Sequence, residues 1–261
     1  MGSKTIQGEL WGMQAKDWAQ IQEKTVEQGY QYALDFLHLR SSDKLLDIGC
    51  GSGYFSHLAH LTGAEVTGLD ASDALLAQAS IRDNSINFLS GEMEELPFED
   101  ESFHVVCGFN SFQFAANVRN ALTEAKRVLK SKGRLVVMIW GNQEDCEAAG
   151  CLKAIASLLP PTPPGAKGPF ALSENNLLQT LLNELDLRII NNADVNSVWH
   201  YENLDTALKG LMSSGAVARV IQQVGFDQTL ATATRAMQPF VKGNGHVVFH
   251  NKFRVIISEK S

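Results

Sequence analysis

Positive charge is the first scarcity. Lys and Arg number 22 against 29 Asp and Glu, giving a net charge of −7 over 261 residues. Gripping a phosphate backbone takes clustered cations. The densest basic run, Lys126-Arg127-Val128-Leu129-Lys130-Ser131-Lys132, reads instead as a helix end, where cations complement the last carbonyls. No nucleic-acid partner is expected. Cysteine is scarce too: Cys50, Cys107, Cys146 and Cys151, with no C-x-x-C among them. Neither a disulfide framework nor a metal site is expected, and a reducing, cytoplasmic setting follows. No apolar run reaches the length of a membrane span and no signal-peptide pattern opens the chain, so neither membrane insertion nor export is expected. The phosphate-loop pattern G-x-x-x-x-G-K-[ST] occurs nowhere. Proline is rare outside one stretch: five of seven lie between residues 160 and 169. Pro160-Pro161-Thr162-Pro163-Pro164-Gly165 therefore reads as an exposed loop. What remains is 44% apolar and 20% charged, the composition of a chain that builds a full core. Its length suits one large α/β domain with an insertion, or two small domains.

The informative presence is Leu45-Leu46-Asp47-Ile48-Gly49-Cys50-Gly51-Ser52-Gly53. An apolar strand carries an acid, then glycines at alternate positions, then a helix. Glycine removes Cβ, so the chain turns sharply and a ligand can approach the main chain at a helix N-terminus. A second acid, Asp70, ends the next apolar run, Glu65–Asp70, where a carboxylate can accept from both hydroxyls of a ribose. The dinucleotide fingerprint G-x-G-x-x-G is broken, because Tyr54 stands at its third glycine. Asp47 would also repel a pyrophosphate. A ligand with a ribose at one end and an amino acid at the other satisfies both acids, and S-adenosylmethionine (SAM) is such a molecule.

Elements alternate on both sides of this turn. Residues 8–40 read as helical, with Trp11 and Trp18 seven apart on one face. These tryptophans either cover a ligand or pack on the core. Strands are expected at about 44–48, 65–70, 86–90, 103–109 and 135–140, with helices at 54–61, 73–82 (Ser72 as N-cap) and 115–130. Short, wholly apolar strands separated by helices predict a parallel sheet covered on both faces. Beyond Gly141 the pattern gives a helix at 174–185, a strand at 187–191, two helices at 203–224 and 227–240, and a last strand at 246–258.

From about residue 40 to 141 the order of parts resembles the class I SAM-dependent methyltransferases. The resemblance is to the branch with the ubiquinone- and menaquinone-biosynthesis-type and small-molecule enzymes. It implies an α/β, Rossmann-like fold with a mostly parallel seven-stranded sheet in the order 3-2-1-4-5-7-6, strand 7 antiparallel. Helices would cover both faces. Residues 1–40 would form an N-terminal helical cap on the domain 41–261, and an insertion at about 202–241, before the last strand, would form part of a substrate lid. It implies that Gly49, Cys50, Gly51 and Gly53 line the methionine part of SAM, with Asp47 toward its amino group. Asp70 would take the ribose, with Ala71 beside the adenine. Gly91-Glu92-Met93 matches the adenine segment, Glu92 accepting from the exocyclic amine and Met93 packing on the ring. Asn110, ending strand 4, would lie against the methionine backbone. Leu96-Pro97-Phe98 and Phe103 match a family stretch that continues with Asp, where this chain has His104.

Transfer of an activated methyl needs positioning and water exclusion, and a base only when the acceptor must lose a proton. No base stands out. His200, Tyr201, His246 and His250 lie in the C-terminal part, each more readily structural than catalytic. Gln113 and Phe114 follow Asn110 and are the leading acceptor contacts. Trp11, Trp18, Trp140 and His200 complete the candidates. The expected activity is methyl transfer from SAM to a small, partly apolar or aromatic acceptor. The alternatives are a SAM-binding protein without turnover, acting as partner or sensor, and a methyltransferase for a macromolecule.

Overall fold

The computed structural model describes residues 2–160 and 168–261. Most of the proline-rich loop expected at 160–165 lies outside the described residues. The sheet has seven strands in the order β3-β2-β1-β4-β5-β7-β6. They are β1 (Lys44–Ile48), β2 (Glu65–Asp70), β3 (Asn87–Ser90), β4 (Phe103–Phe109), β5 (Leu129–Trp140), β6 (Leu187–Tyr201) and β7 (Val247–Lys260). β1 to β5 pair in parallel, and β7 runs antiparallel to both neighbours. Strand alternation divides the core between the faces. Leu45 belongs to one hydrophobic cluster, whereas Leu46 and Ile48 belong to the other. Helices α6 (Val118–Val128) and α8 (Leu177–Glu184) cover the second face. The first is covered by α3 (Glu27–Leu37), α4 (Tyr54–His60) and α7 (Ala148–Ala156), together with α9 (Leu204–Met212), α10 (Gly215–Val224) and α11 (Phe226–Met237).

Local chemistry starts these helices. Ser72 Oγ accepts from the Leu75 N–H at the head of α5 (Asp73–Arg82), Asn117 accepts from Arg119 and Asn120, and Asn203 accepts from Thr206. The cap is less regular than expected. It contains α1 (Lys4–Gly12), one turn at α2 (Ala15–Asp17), a π-helical stretch (Trp18–Gln22) and a 3-10 stretch (Glu23–Val26) ahead of α3. Three expectations need revision, the first being the helix end expected over 126–132: α6 stops at Val128 and Leu129–Lys132 begin β5. The strand at 187–191 continues to Tyr201, because β6 pairs with β7 from Leu187↔Lys260 to Tyr201↔Val247. Its many polar residues conceal a strand whose far half alternates buried Ser197, Trp199 and Tyr201 with exposed Val198 and His200. The helix expected at 203–224 is two helices, broken at Ser213-Ser214 before Gly215. His104 takes a structural part at the motif's usual Asp position: its Nδ1 accepts from the Lys44 N–H at 2.9 Å, where β1 begins.

Candidate active site

The glycine turn follows β1 at the carboxyl edge of the sheet. Gly49, Gly51 and Gly53 have φ of +70°, +56° and +74°, a region that L side chains rarely adopt. A Cβ on Gly49 would also lie 2.4 Å from Ser111 Cβ. Asp70 fixes the turn from the neighbouring strand. Its Oδ2 accepts from Gly51 N at 2.8 Å and its Oδ1 from Ser72 N at 2.8 Å. Burial pushes the Asp70 carboxyl up, against the pull of these amides.

A narrow cavity opens against this turn. Gly49, Gly51, Asp70 and Ala71 form one side, and Gly91, Glu92, Met93 and Asn110 another. Three other expected cofactor residues are not brought to it. Cys50 turns inward, its Sγ beside Gly68, and Gly53 packs under Ala79 and Phe88. Asp47 is 2% exposed and lies behind the turn. It accepts from Ser56 Oγ at 2.7 Å and contacts Cys107 Sγ at 3.6 Å, so it does not reach a ligand in the cavity directly. Burial pushes its carboxyl up to about 7, with Glu23 and Asp70 adding repulsion. Glu92 lines the cavity but also caps α1: its Oε2 accepts from Lys4 N at 2.7 Å and its Oε1 from Ser3 Oγ at 3.3 Å.

The cap forms the roof. Ser3, Gln7, Trp11 and Trp18 close the cavity from above, leaving about 100 Å3. Ligand pockets begin near about 300 Å3, so a ligand of cofactor size requires the cap to shift. The cap is clamped by a buried network absent from the sequence reading. Glu23 Oε1 accepts from Ser52 N at 3.1 Å, and the Ser52 hydroxyl donates to Oε2. Arg82 Nη1 reaches Oε2 and Ser52 O at 2.6 Å each, and Nη2 reaches Ala19 O at 3.1 Å. Burial raises the Glu23 carboxyl against the lowering pull of Arg82.

A second cavity of about 420 Å3 adjoins the first. The two share Trp11, Trp18, Val26, Asn110 and Phe114. Trp11 meets Trp18 edge-on at 4.7 Å and Phe114 at 5.2 Å. Gln113 and Trp140 line the larger cavity as expected, alongside Trp199, Phe170 and Phe253. Those last three were not anticipated, since each reads as ordinary core. Gln113 Oε1 and Nε2 and Asn110 Oδ1 are buried with no partner. His200 is not brought to the site: it lies on the exposed edge, its Nε2 2.8 Å from His246 Nδ1. Tyr201 donates to Gln22 Oε1 at 2.8 Å, and neither it, His246 nor His250 lines either cavity. Among the described residues, no cluster of three or more His, Cys, Asp or Glu could hold a metal ion. No helix there is long and apolar enough to cross a membrane.

The sheet order, the glycine turn and the acid ending β2 resemble those of the class I SAM-dependent methyltransferases. The residues fit SAM: an open main-chain turn, a carboxylate for the ribose and an unpartnered Asn110 amide oxygen face one cavity. Residues 46–137 match the family described as Methyltransferase domain. The malonyl-[acyl-carrier protein] O-methyltransferase of Erwinia billingiae is 36% identical over 97 residues, 37% of this chain and 39% of that protein. The demethylmenaquinone methyltransferase of Thermotoga maritima is 38% identical over 101 residues, 37% of this chain and 43% of that protein. The chain thus spans about two fifths of the length of these curated relatives. The YcgJ protein of Bacillus subtilis superposes with a TM-score of 0.59 at 20% identity, over 90% of this chain and 98% of that one, a likeness of fold.

Proposed function

We propose that this chain transfers a methyl group from SAM to a small, partly apolar or aromatic acceptor by in-line displacement. One observation carries the reading: a cavity on the glycine turn and a larger apolar cavity share a single aromatic wall. Bound SAM supplies a methyl group already activated by its sulfonium. The chain's residues do the rest. Asp70 accepts from the ribose hydroxyls with the lone pairs left free by Gly51 and Ser72. Ala71 and Met93 flank the adenine, and Glu92 accepts from its amine. Asn110 faces the methionine end. Trp11, Trp18 and Phe114 exclude water where the cavities meet. Residues 1–40 and the helices inserted between β6 and β7 act together as the lid, the latter through Leu211, Val217 and Val220. A relative named for demethylmenaquinone supports an apolar acceptor.

Calorimetric titration with SAM, S-adenosylhomocysteine and NADH tests the cofactor. Both adenosyl ligands should bind and NADH should not. Asp70→Ala should weaken SAM by about 1–3 kcal/mol, because two accepted hydrogen bonds are lost. Unchanged affinity would remove Asp70 from the site, and binding of NADH alone would overturn the cofactor class. Turnover of an acceptor separates an enzyme from a SAM-binding protein without catalysis.

A further inference from the structure

The larger cavity contains amides and hydroxyls but almost nothing that titrates. Among the described residues its only ionisable lining group is Lys153. Residues 161–167, Pro-Thr-Pro-Pro-Gly-Ala-Lys, add no carboxylate or imidazole. On the cofactor side the titratable groups are Tyr30, Asp70 and Glu92. Burial and the nearby Glu23 and Asp47 hold the Tyr30 phenol well above its usual range, so it stays protonated. Asp70 and Glu92 are held by backbone N–H groups. Among the described residues that line these two cavities, none is placed to take a proton from an acceptor; the carboxylates of Glu144 and Glu174 belong to an adjoining cleft that shares Gln143, Ala149 and Phe170 with the larger cavity.

Charge balance points the same way. An amine acceptor would leave a cation in an apolar cavity without a carboxylate to pair it, which is costly. An anion meeting a sulfonium cancels charge as it reacts, and apolar surroundings favour that change. The cavity offers an anion two positive features. Gln113 carries a buried donor without a partner, Nε2, which an anion can use, beside an acceptor without one, Oε1. Lys153, exposed on α7 and lining the same cavity, pairs with no carboxylate among the described residues.

We propose that the acceptor is an apolar-bodied organic anion, a carboxylate or a stabilised enolate, that brings its own nucleophilic electron pair to Gln113. This rests on the methyltransferase reading above. The acceptor's pair forms a bond to the methyl carbon while the carbon–sulfur bond breaks. The released pair stays on sulfur, and no proton moves. Gln113 donates to the anion through Nε2, and Lys153 attracts it at the cavity margin.

The test uses the full chain with four matched probes: 2-naphthoate, 1,3-indanedione, 2-naphthylmethanol and 2-naphthylmethanamine. Each is titrated by calorimetry in the presence of S-adenosylhomocysteine, and each is incubated with SAM while methylated product is detected by mass spectrometry. The two anions should bind at least tenfold more tightly than the alcohol and the amine. A methyl ester from 2-naphthoate marks the carboxylate source, and C- or O-methylated indanedione marks the enolate. For whichever reacts, kcat/KM should rise with pH along the probe's own ionisation. Gln113→Leu should lower anion affinity at least fivefold while adenosyl affinity stays within twofold. Lys153→Ala should weaken 2-naphthoate about threefold and leave 2-naphthylmethanol unchanged. Anions binding no more tightly than the amine, or methylation of the amine alone, overturn the proposal. Loss of adenosyl binding itself would instead refute the methyltransferase reading.

Discussion

Removing Arg82 should cost far more at pH 8 than at pH 5. Its partner Glu23 is 2% exposed, and Arg82 itself 18%. With Arg82→Met, Glu23 keeps only Ser52 N and the Ser52 hydroxyl, while Ser52 O and Ala19 O lose a donor. Breaking a buried pair from one side leaves an uncompensated charge and costs about 3–5 kcal/mol. Burial already raises the Glu23 carboxyl, and Arg82 is the largest influence opposing that rise. Without Arg82 the carboxyl rises further. The sign follows from linkage: a carboxyl whose folded pKa is raised loses stability as pH climbs through that pKa. The penalty is therefore larger at pH 8 than at pH 5. Urea unfolding of the wild type and Arg82→Met at both pH values measures the difference. A Glu23→Gln/Arg82→Met double variant should recover at least 1 kcal/mol at pH 8, since no charge is then stranded. A loss below 1 kcal/mol at pH 8, or one equal at both pH values, would refute the view that this pair clamps the cap.

Two further outcomes follow. A Cβ on Gly215 would meet the Trp11 ring at 2.6 Å, so Gly215→Val should displace Trp11 and cost about 1–3 kcal/mol, read as a lower Tm with altered tryptophan fluorescence. Asp47, with its carboxyl pushed up to about 7, favours the folded state while protonated and disfavours it as pH rises from about 4 through 7. The stability of the ligand-free wild type relative to Asp47→Asn should fall over that window by up to about 4 kcal/mol, measured by urea unfolding. A constant difference would place Asp47 in a less enclosed environment.

The glycine turn and the acid beside the narrow cavity were legible because their signals are local. Strand, acid and alternating glycines occupy nine consecutive positions, and Asp70 ends the next apolar run. The larger cavity was legible at Trp11, Trp18, Gln113, Phe114 and Trp140. Trp199, Phe170 and Phe253 carry no local mark, because a cavity wall and a core wall use the same residues. The Glu23–Arg82 clamp was invisible for another reason: its partners lie 59 positions apart, one in the 3-10 stretch of the cap and one at the end of α5. Asp47 shows the converse. Its place in the motif is plain, yet Ser56 and Cys107 turn its carboxylate away from the cavity, and that turn depends on a strand 60 residues downstream.

The aromatic wall between the cavities joins residues from inside and outside the stretch that matches the methyltransferase domain. The stretch from 46 to 137 that matches the methyltransferase domain holds the donor turn, Asp70 and the Asn110–Phe114 corner. The other walls of the larger cavity come from outside it: Trp11 and Trp18 before it, Trp199, Val217 and Phe253 after it. Substitutions in the later flank would reshape the larger cavity and leave the Gly49–Gly51 turn and Asp70 in place, whereas Trp11 and Trp18 also roof the smaller cavity. On the proposed reading, the walls that would choose the acceptor thus lie largely outside the stretch that matches the methyltransferase domain.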